Sequence, residues 1–295
     1  MKHVNPTNDL AFKKVLGNND NIHILEGFIR DFFSIDPKGL TVENPYSIKA
    51  YRELVKDEEA YKLRLTISDI SAVMDFADYT SELQIRKESY FDERSLYYPL
   101  DKFVSRYKIV PDEPSAYARL RPMYAMNILG YNHIPEDNDA LRIFQLYDPI
   151  RNKHFPKRIF HFGYFELLKP NVETENQKQW QNYFLQKPLS DDAPDYIKDA
   201  LHIIDSANMD EEELEMMTKV EYYQSILDSQ LHCAKNEGKI EGKIEGKIEG
   251  MIEGKNEGMT EVAREMLLDG EPIEKIVRYT RFNINEIENL RVGIK

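Results

Sequence analysis

The sequence predicts an α/β fold: a central mixed sheet flanked by helices, followed by a helical C-terminal extension. Three observations carry this. Alternation of apolar and polar residues marks strands at 63–75 and 80–87, and a nearly unbroken apolar run marks an interior strand at 122–130. Apolar residues at helical spacing occupy the segments before and between these strands. From about residue 174 the strand signals stop and charged helical patterns take over. The order helix, helix, strand, strand, helix, strand suits a sheet covered on both faces.

Taken in order, 7–16 (TNDLAFKKVL) is a short helix, with Thr7 or Asn8 able to cap it and Gly17 to stop it. A second helix spans about 20–34, where Leu25, Phe28, Ile29, Phe32 and Phe33 recur on one face and belong in the core. DPKG at 36–39 is a turn. In the strand at 63–75, Leu65, Ile67, Asp69, Ser71 and Val73 share one face, and Ile70, Ala72 and Met74 the other. FADY then makes a tight connection. In the next strand Leu83 and Ile85 oppose Glu82, Gln84 and Arg86. A helix follows at about 89–108, with Pro99 as a point of kinking or division. Apolar runs at 141–147 and 158–167 extend the sheet. QKQWQNYFL at 177–185 packs Trp180, Tyr183 and Phe184 on one side, and 191–235 holds further charged helices.

A chain of 295 residues is long enough for a sizeable core. Its 41% hydrophobic and 31% charged content is that of a mostly globular protein. The single cysteine, Cys233, excludes an internal disulfide and a Cys-rich zinc site, and a reducing cytoplasm is the simplest compartment. The N-terminal stretch has no signal-peptide core and no run reaches transmembrane length, so no membrane partner is expected. The net charge of −13 argues against a general nucleic-acid coat protein, since phosphate binding needs clustered cations. A local basic groove stays open: 86–121 carries a net +2.

Residues 237–258 repeat a Gly-Lys-Ile-Glu unit, with Gly at 238, 242, 246, 250, 254 and 258 and Ile at 240, 244, 248 and 252. As an isolated helix this is poor, because each glycine costs about 1 kcal/mol relative to alanine. Its i,i+4 neighbours are also like charges. Two readings stand: a flexible or partly helical linker, or an oligomerisation helix whose small residues permit close approach. Residues 259–292 form three short helices separated by DGEP and RFN. They resemble a helix-turn-helix, but INEIENLR carries more glutamate than arginine, which suits a protein-contact module better than a DNA-reading helix. The expected organisation is an α/β domain at 1–190, a helical extension at 191–236, the repeat at 237–258 and a small helical module at 259–295.

Asp69 and Glu82 are the candidate chemistry. Two carboxylates on adjacent strands, facing the same way, can hold a hard divalent cation through oxygen. Such a cation polarises a phosphate and acidifies water. Gln84, two residues after Glu82, lies on the same face about 6–7 Å along, where many nucleases place a lysine. Alone, an acid two before a glutamine reads as a solvated sheet face. Asp69 strengthens the case, because an unpaired carboxylate among apolar residues is costly; a salt bridge to Arg86 is the competing explanation. The seven histidines show no metal spacing, and His154 and His161 read as ordinary strand or loop residues. GKIEG lacks the Ser/Thr and preceding strand of a phosphate loop. Lys87 and Arg94 can contact phosphate or simply be solvated.

These features resemble the PD-(D/E)XK nuclease superfamily, and more closely its Rpn family of recombination-promoting nucleases and transposases. The matching stretches are NDLAFKKVLG (8–17), SDISAVM (68–74), SELQIRK (81–87), RSLYY (94–98) and YAMNILGY (124–131), with QKQWQNYFL and the repeat-bearing tail. The resemblance implies a restriction-endonuclease-like core and a Mg²⁺- or Mn²⁺-dependent DNA endonuclease, linked to recombination or mobile elements. It assigns Asp69 and Glu82 as metal ligands and Gln84 as the third member of an acid-x-Gln element. Asp9 matches the acidic position of the N-terminal signature, either near the site or as part of the first helix's cap. DNA is the implied partner, with a homo-oligomer through the C-terminal helices as one expectation. A non-catalytic interaction protein that keeps the fold is the alternative.

Overall fold

The computed structural model describes residues 4–48, 70–108, 117, 120–135 and 137–292. The first helix, α1 (Asp9–Leu16), starts where the Asn8 side chain accepts from the backbone N–H groups of Leu10 and Ala11, and stops at Gly17. Helix α2 (Ile22–Phe33) buries Leu25, Phe28, Ile29 and Phe32, while Phe33 packs at its border against Tyr79 and Tyr124. It ends at Ser34 in the left-handed region, φ 54°. In the turn that follows, Gly39 has φ +66°, and a methyl group there would collide with the Asp75 carboxylate.

The sheet has six strands in the order β1-β2-β3-β4-β8-β5. They are β1 (Thr41–Val42), β2 (Ile70–Val73), β3 (Asp78–Gln84), β4 (Met123–Leu129), β8 (Phe160–Glu166) and β5 (Leu141–Phe144). A separate ribbon pairs β6 (Tyr147–Asp148) with β7 (Lys153–His154). Strands β2 and β3 form an antiparallel hairpin, with Ile70 opposite Ser81, closed by a turn at 74–77 in which the Met74 N–H donates to the Ala77 carbonyl at 2.8 Å. Strand β3 then runs parallel to β4, and β4 parallel to β8, so the sheet is mixed as expected. The part of the expected first strand before Ile70, Asp69 included, lies outside the described residues. Strand β1 was not expected; two residues carry no alternation to read.

Helix α3 (Phe91–Lys108) connects β3 to β4 and continues through Pro99 without division. It covers one face of the sheet, where Phe91 packs with Ala125, Leu129, Phe162 and Tyr164. Lys102 ties it to the β1–β3 edge through Glu43 and the Ala72 carbonyl, both at 2.8 Å. The other face carries the main core, built with α1, α2, α4 (Glu175–Phe184) and α5 (Asp195–Ile203). There Phe28 meets Trp180 edge-on at 5.0 Å, and the half-buried Asp31 carboxylate of α2 accepts from the Trp180 indole at 2.9 Å. No described helix is long and apolar enough to cross a membrane.

The chain divides into two compact units, Met1–Tyr223 and Gln224–Lys295. Helix α6 (Glu211–Leu268) begins in the first, where Met216, Met217 and Val220 are buried and the Asn8 amide donates to the Met217 carbonyl at 3.1 Å. The repeat lies wholly within this helix of 58 residues. The sequence places a short helix from 259; those residues are instead the last turns of α6. The glycines weaken a helix without ending it, and the stop comes at Gly270, whose φ is 73°. In the second unit the end of α6 packs on α7 (Ile273–Thr280) and α8 (Ile284–Val292) through Ala263, Ile276 and Ile287.

Candidate functional site

The end of β3 brings a carboxylate and an amide onto the α3 face. Every residue of β3 is buried, and Glu82 and Gln84 alternate with Leu83, which belongs to the opposite core. Beside them in the parallel ladder lie Asn127 and Leu129 of β4. The chain leaves β3 through residues 85–90, turning at Tyr90 with φ 62°, and returns over the sheet as α3. That return puts Arg94 above Glu82 and Gln84.

Arg94 is the hub. Its Nη2 lies 2.6 Å from Glu82 Oε1 and donates to Gln84 Oε1; its Nη1 lies 2.8 Å from Glu88 Oε2. Gln84 is held at both ends, since its Nε2 donates to the Arg86 carbonyl at 2.7 Å. Burial pushes the Glu82 pKa up; Arg94 pulls against this and Glu88 adds to it, leaving the value raised. Burial works against the Arg94 charge, but Glu82 and Glu88 outweigh it, and the guanidinium is held firmly ionised.

Around this pair lies a polar shell. A cavity of about 10 Å³, room for roughly one water, is lined by Thr80, Glu82, Ser95 and Asn127, among others. Ser95 Oγ and the Tyr164 hydroxyl lie 2.8 Å apart. His133 Nε2 is 2.7 Å from Asp92 Oδ1, and its ring stacks over Tyr164. The Tyr131 hydroxyl is buried without a hydrogen-bond partner among the described residues, and burial raises its pKa, with Arg94, Asp92, Glu82 and Glu88 all contributing to its field.

The four residues singled out by sequence are placed as follows. Glu82 and Gln84 come together, joined by Arg94. Asp69 lies outside the described residues. Asp9 is buried in the first turn of α1, whose cap is Asn8. Sequence reasoning left Arg94 as one of two loose phosphate contacts and did not single out His133 or Tyr131. Arg94 heads the RSLYY stretch, which is the signal that could have found it.

Glu82 has the chemistry of a ligand for a hard divalent cation, and Mg²⁺ needs only one or two carboxylates because it keeps several waters. Among the described residues no group of three His, Cys, Asp or Glu side chains is placed to hold a metal ion. The carboxylate such an ion would use is the one Arg94 faces, with Nη2 2.6 Å from Oε1.

Comparison with known proteins agrees with this fold. The family model for the PD-(D/E)XK nuclease family transposase matches residues 6–234. The chain therefore belongs to that family, whose nuclease core the mixed sheet and flanking helices reproduce. Neither the curated proteins nor the solved structures contain a significant match.

Proposed function

We propose that this member of the PD-(D/E)XK nuclease family transposases hydrolyses DNA phosphodiester bonds with a divalent cation, Mg²⁺ or Mn²⁺, held by Asp69 and Glu82. The reaction joins a water oxygen to phosphorus, breaks one P–O ester bond and protonates the departing oxygen. The observation that carries the reading is Glu82: a buried carboxylate of raised pKa, facing a fixed guanidinium, in a chain of this family. Buried carboxylates that serve only the fold are usually satisfied at lower cost by backbone donors.

When bound, the cation supplies charge neutralisation at the phosphate and acidifies nearby water. Glu82 contributes its ionised form, a hard oxygen ligand. Asp69, next in sequence to the β2 residue Ile70, is assigned the second ligand position. Gln84 acts through its amide, orienting the groups at the reacting phosphate. Asp9 is assigned to the same set on the strength of the N-terminal signature, and Asp9→Asn reads its part. The setting in recombination or mobile elements belongs to this reading too.

The test is plasmid cleavage by the purified protein with Mg²⁺ or Mn²⁺. Asp69→Asn removes the ion's attraction at nearly constant volume and should abolish cleavage while leaving the circular dichroism spectrum unchanged. Undiminished cleavage by this variant removes Asp69 from the mechanism. One observation favours a second reading, a non-catalytic interaction protein: Arg94 already pairs with Glu82 from within, 2.6 Å from its Oε1. A wild-type protein inert with both ions would establish that alternative.

Self-association through the C-terminal helices is part of the proposal. Along α6, Ile240, Ile244, Ile248 and Ile252 are all exposed, and a methyl group added at any of the six repeat glycines would meet only open space. A helix of this composition gains stability most readily from a partner.

A further inference from the structure

The reading above leaves Arg94 without a task. Its side chain is 17% exposed, and its guanidinium is gripped by Glu82, Gln84 and Glu88 while its carbon lies 5.9 Å from the centre of the Phe91 ring. A guanidinium stays charged at any working pH. A lysine at position 84 would bring its charge to the end of that side chain, which is where Arg94 meets the Gln84 oxygen. The geometry points to Arg94 as the fixed cation of the site, delivered by α3 in place of the lysine that β3 lacks, with Gln84 as the residue that positions it. This rests on the nuclease reading.

A plain structural brace would also explain three acceptors around one arginine. What separates the two is the identity of the first acceptor. Glu82 is the carboxylate assigned to the divalent cation, and its single negative charge cannot neutralise both positive groups fully. Release of Glu82 leaves Arg94 held by Gln84 through Nη2 and by Glu88 through Nη1, with the donor capacity that faced Glu82 free. A planar fork of N–H donors suits a phosphate oxygen pair better than an ammonium does. Gln84 fits a positioning role because its amide is fixed at both ends: the carbonyl accepts from Arg94 and the NH₂ donates to the Arg86 carbonyl. The arrangement also explains why the acid-x-Gln element is compatible with chemistry, since the charge is supplied from another element.

The consequence is a pair of effects of opposite sign. Removing the Arg94 charge frees Glu82 for the cation and weakens stabilisation of the phosphate's negative charge. The experiment measures Mn²⁺ affinity by calorimetry without DNA, single-turnover plasmid cleavage, and melting temperature for the full-length wild type, Arg94→Gln, Arg94→Lys, Glu82→Gln and the double variant Arg94→Gln/Gln84→Lys. Arg94→Gln should bind Mn²⁺ at least as tightly as wild type and cleave on the order of 10²–10³ times more slowly, the usual cost of one preorganised donor. The double variant restores the charge from β3 and should recover at least about tenfold of that loss.

Wild-type cleavage by Arg94→Gln overturns the inference. So does a joint fall in Mn²⁺ affinity and cleavage with no recovery in the double variant, which is the behaviour of a brace. If Arg94→Gln fails to fold, Arg94→Lys decides: it should keep cleavage within about tenfold of wild type, and a folded Arg94→Lys as inactive as Glu82→Gln overturns the inference equally. A wild type inert with both Mg²⁺ and Mn²⁺ sinks the nuclease reading and this inference together, whereas an active wild type with an unaffected Arg94→Gln sinks this inference alone.

Discussion

Glu82 faces opposing demands. As a ligand it must be ionised; as a buried group it is pushed toward the neutral form, and its pKa stands above the ordinary 4.5. A carboxyl whose folded pKa is raised contributes stability below its unfolded pKa and loses that contribution as pH rises through the folded value. Glu82→Gln removes this titration. The melting temperature of the variant minus that of wild type should therefore grow as pH rises above the ordinary 4.5; a flat difference would mean that Glu82 is not the linked group. Without DNA, Mn²⁺ should bind in competition with the Glu82 proton, so its affinity should rise as pH rises and Glu82 ionises. Gln84→Ala should lose most activity, on the order of 10²-fold, because Arg94 loses the contact that orients it; cleavage at the wild-type rate would make Gln84 a mere strand residue. The shared face of Glu82 and Gln84 was legible from the alternation of β3. Arg94 was not, because its approach depends on the return of the chain through Tyr90, and a tyrosine announces no left-handed turn. Nothing local in the sequence says that ten residues later a side chain will point back at the same spot.

At the scale of elements, legibility followed periodicity. The expected strands at 122–130 and 158–167 became β4 and β8 with ends shifted by one or two residues, since both are apolar runs bounded by polar turns. The helix at 20–34 became α2 because its five apolar positions fall on one stripe. The connection after β2 was placed at FADY, but the turn falls at 74–77, and Asp78 and Tyr79 already belong to β3. A buried aspartate at a strand start looks like a turn residue to a composition rule. The repeat glycines left linker and helix both open by composition, and the structure places them inside α6. Each weakens α6, yet none is required by packing within the chain, as the open space around them shows. Replacing Gly242 and Gly246 by alanine should therefore strengthen the helix by about 1 kcal/mol per site, seen as helical signal that persists to higher temperature, with the cleavage rate unchanged. A loss of helical signal would mean that these positions need glycine for a contact beyond the single chain.

At the scale of the whole molecule, the two units make different claims on α6. Its first turns are core: Met216, Met217 and Val220 are buried, Lys14 pairs with Glu213, and Tyr46 donates to Glu213 at 3.0 Å. Truncation at residue 210 should strip three buried apolar side chains, each worth about 1.5–3 kcal/mol, and leave the α/β unit destabilised or unfolded. Deletion of 237–258 begins beyond the last of these contacts, so the α/β unit should keep its melting temperature and its cleavage rate per chain. If the exposed isoleucine stripe is where two chains meet, the same deletion should lower the mass measured by light scattering. An unchanged mass with an unchanged melting temperature would return the repeat to the role of spacer between independently folded units. A lowered melting temperature would contradict the division of the chain into two units.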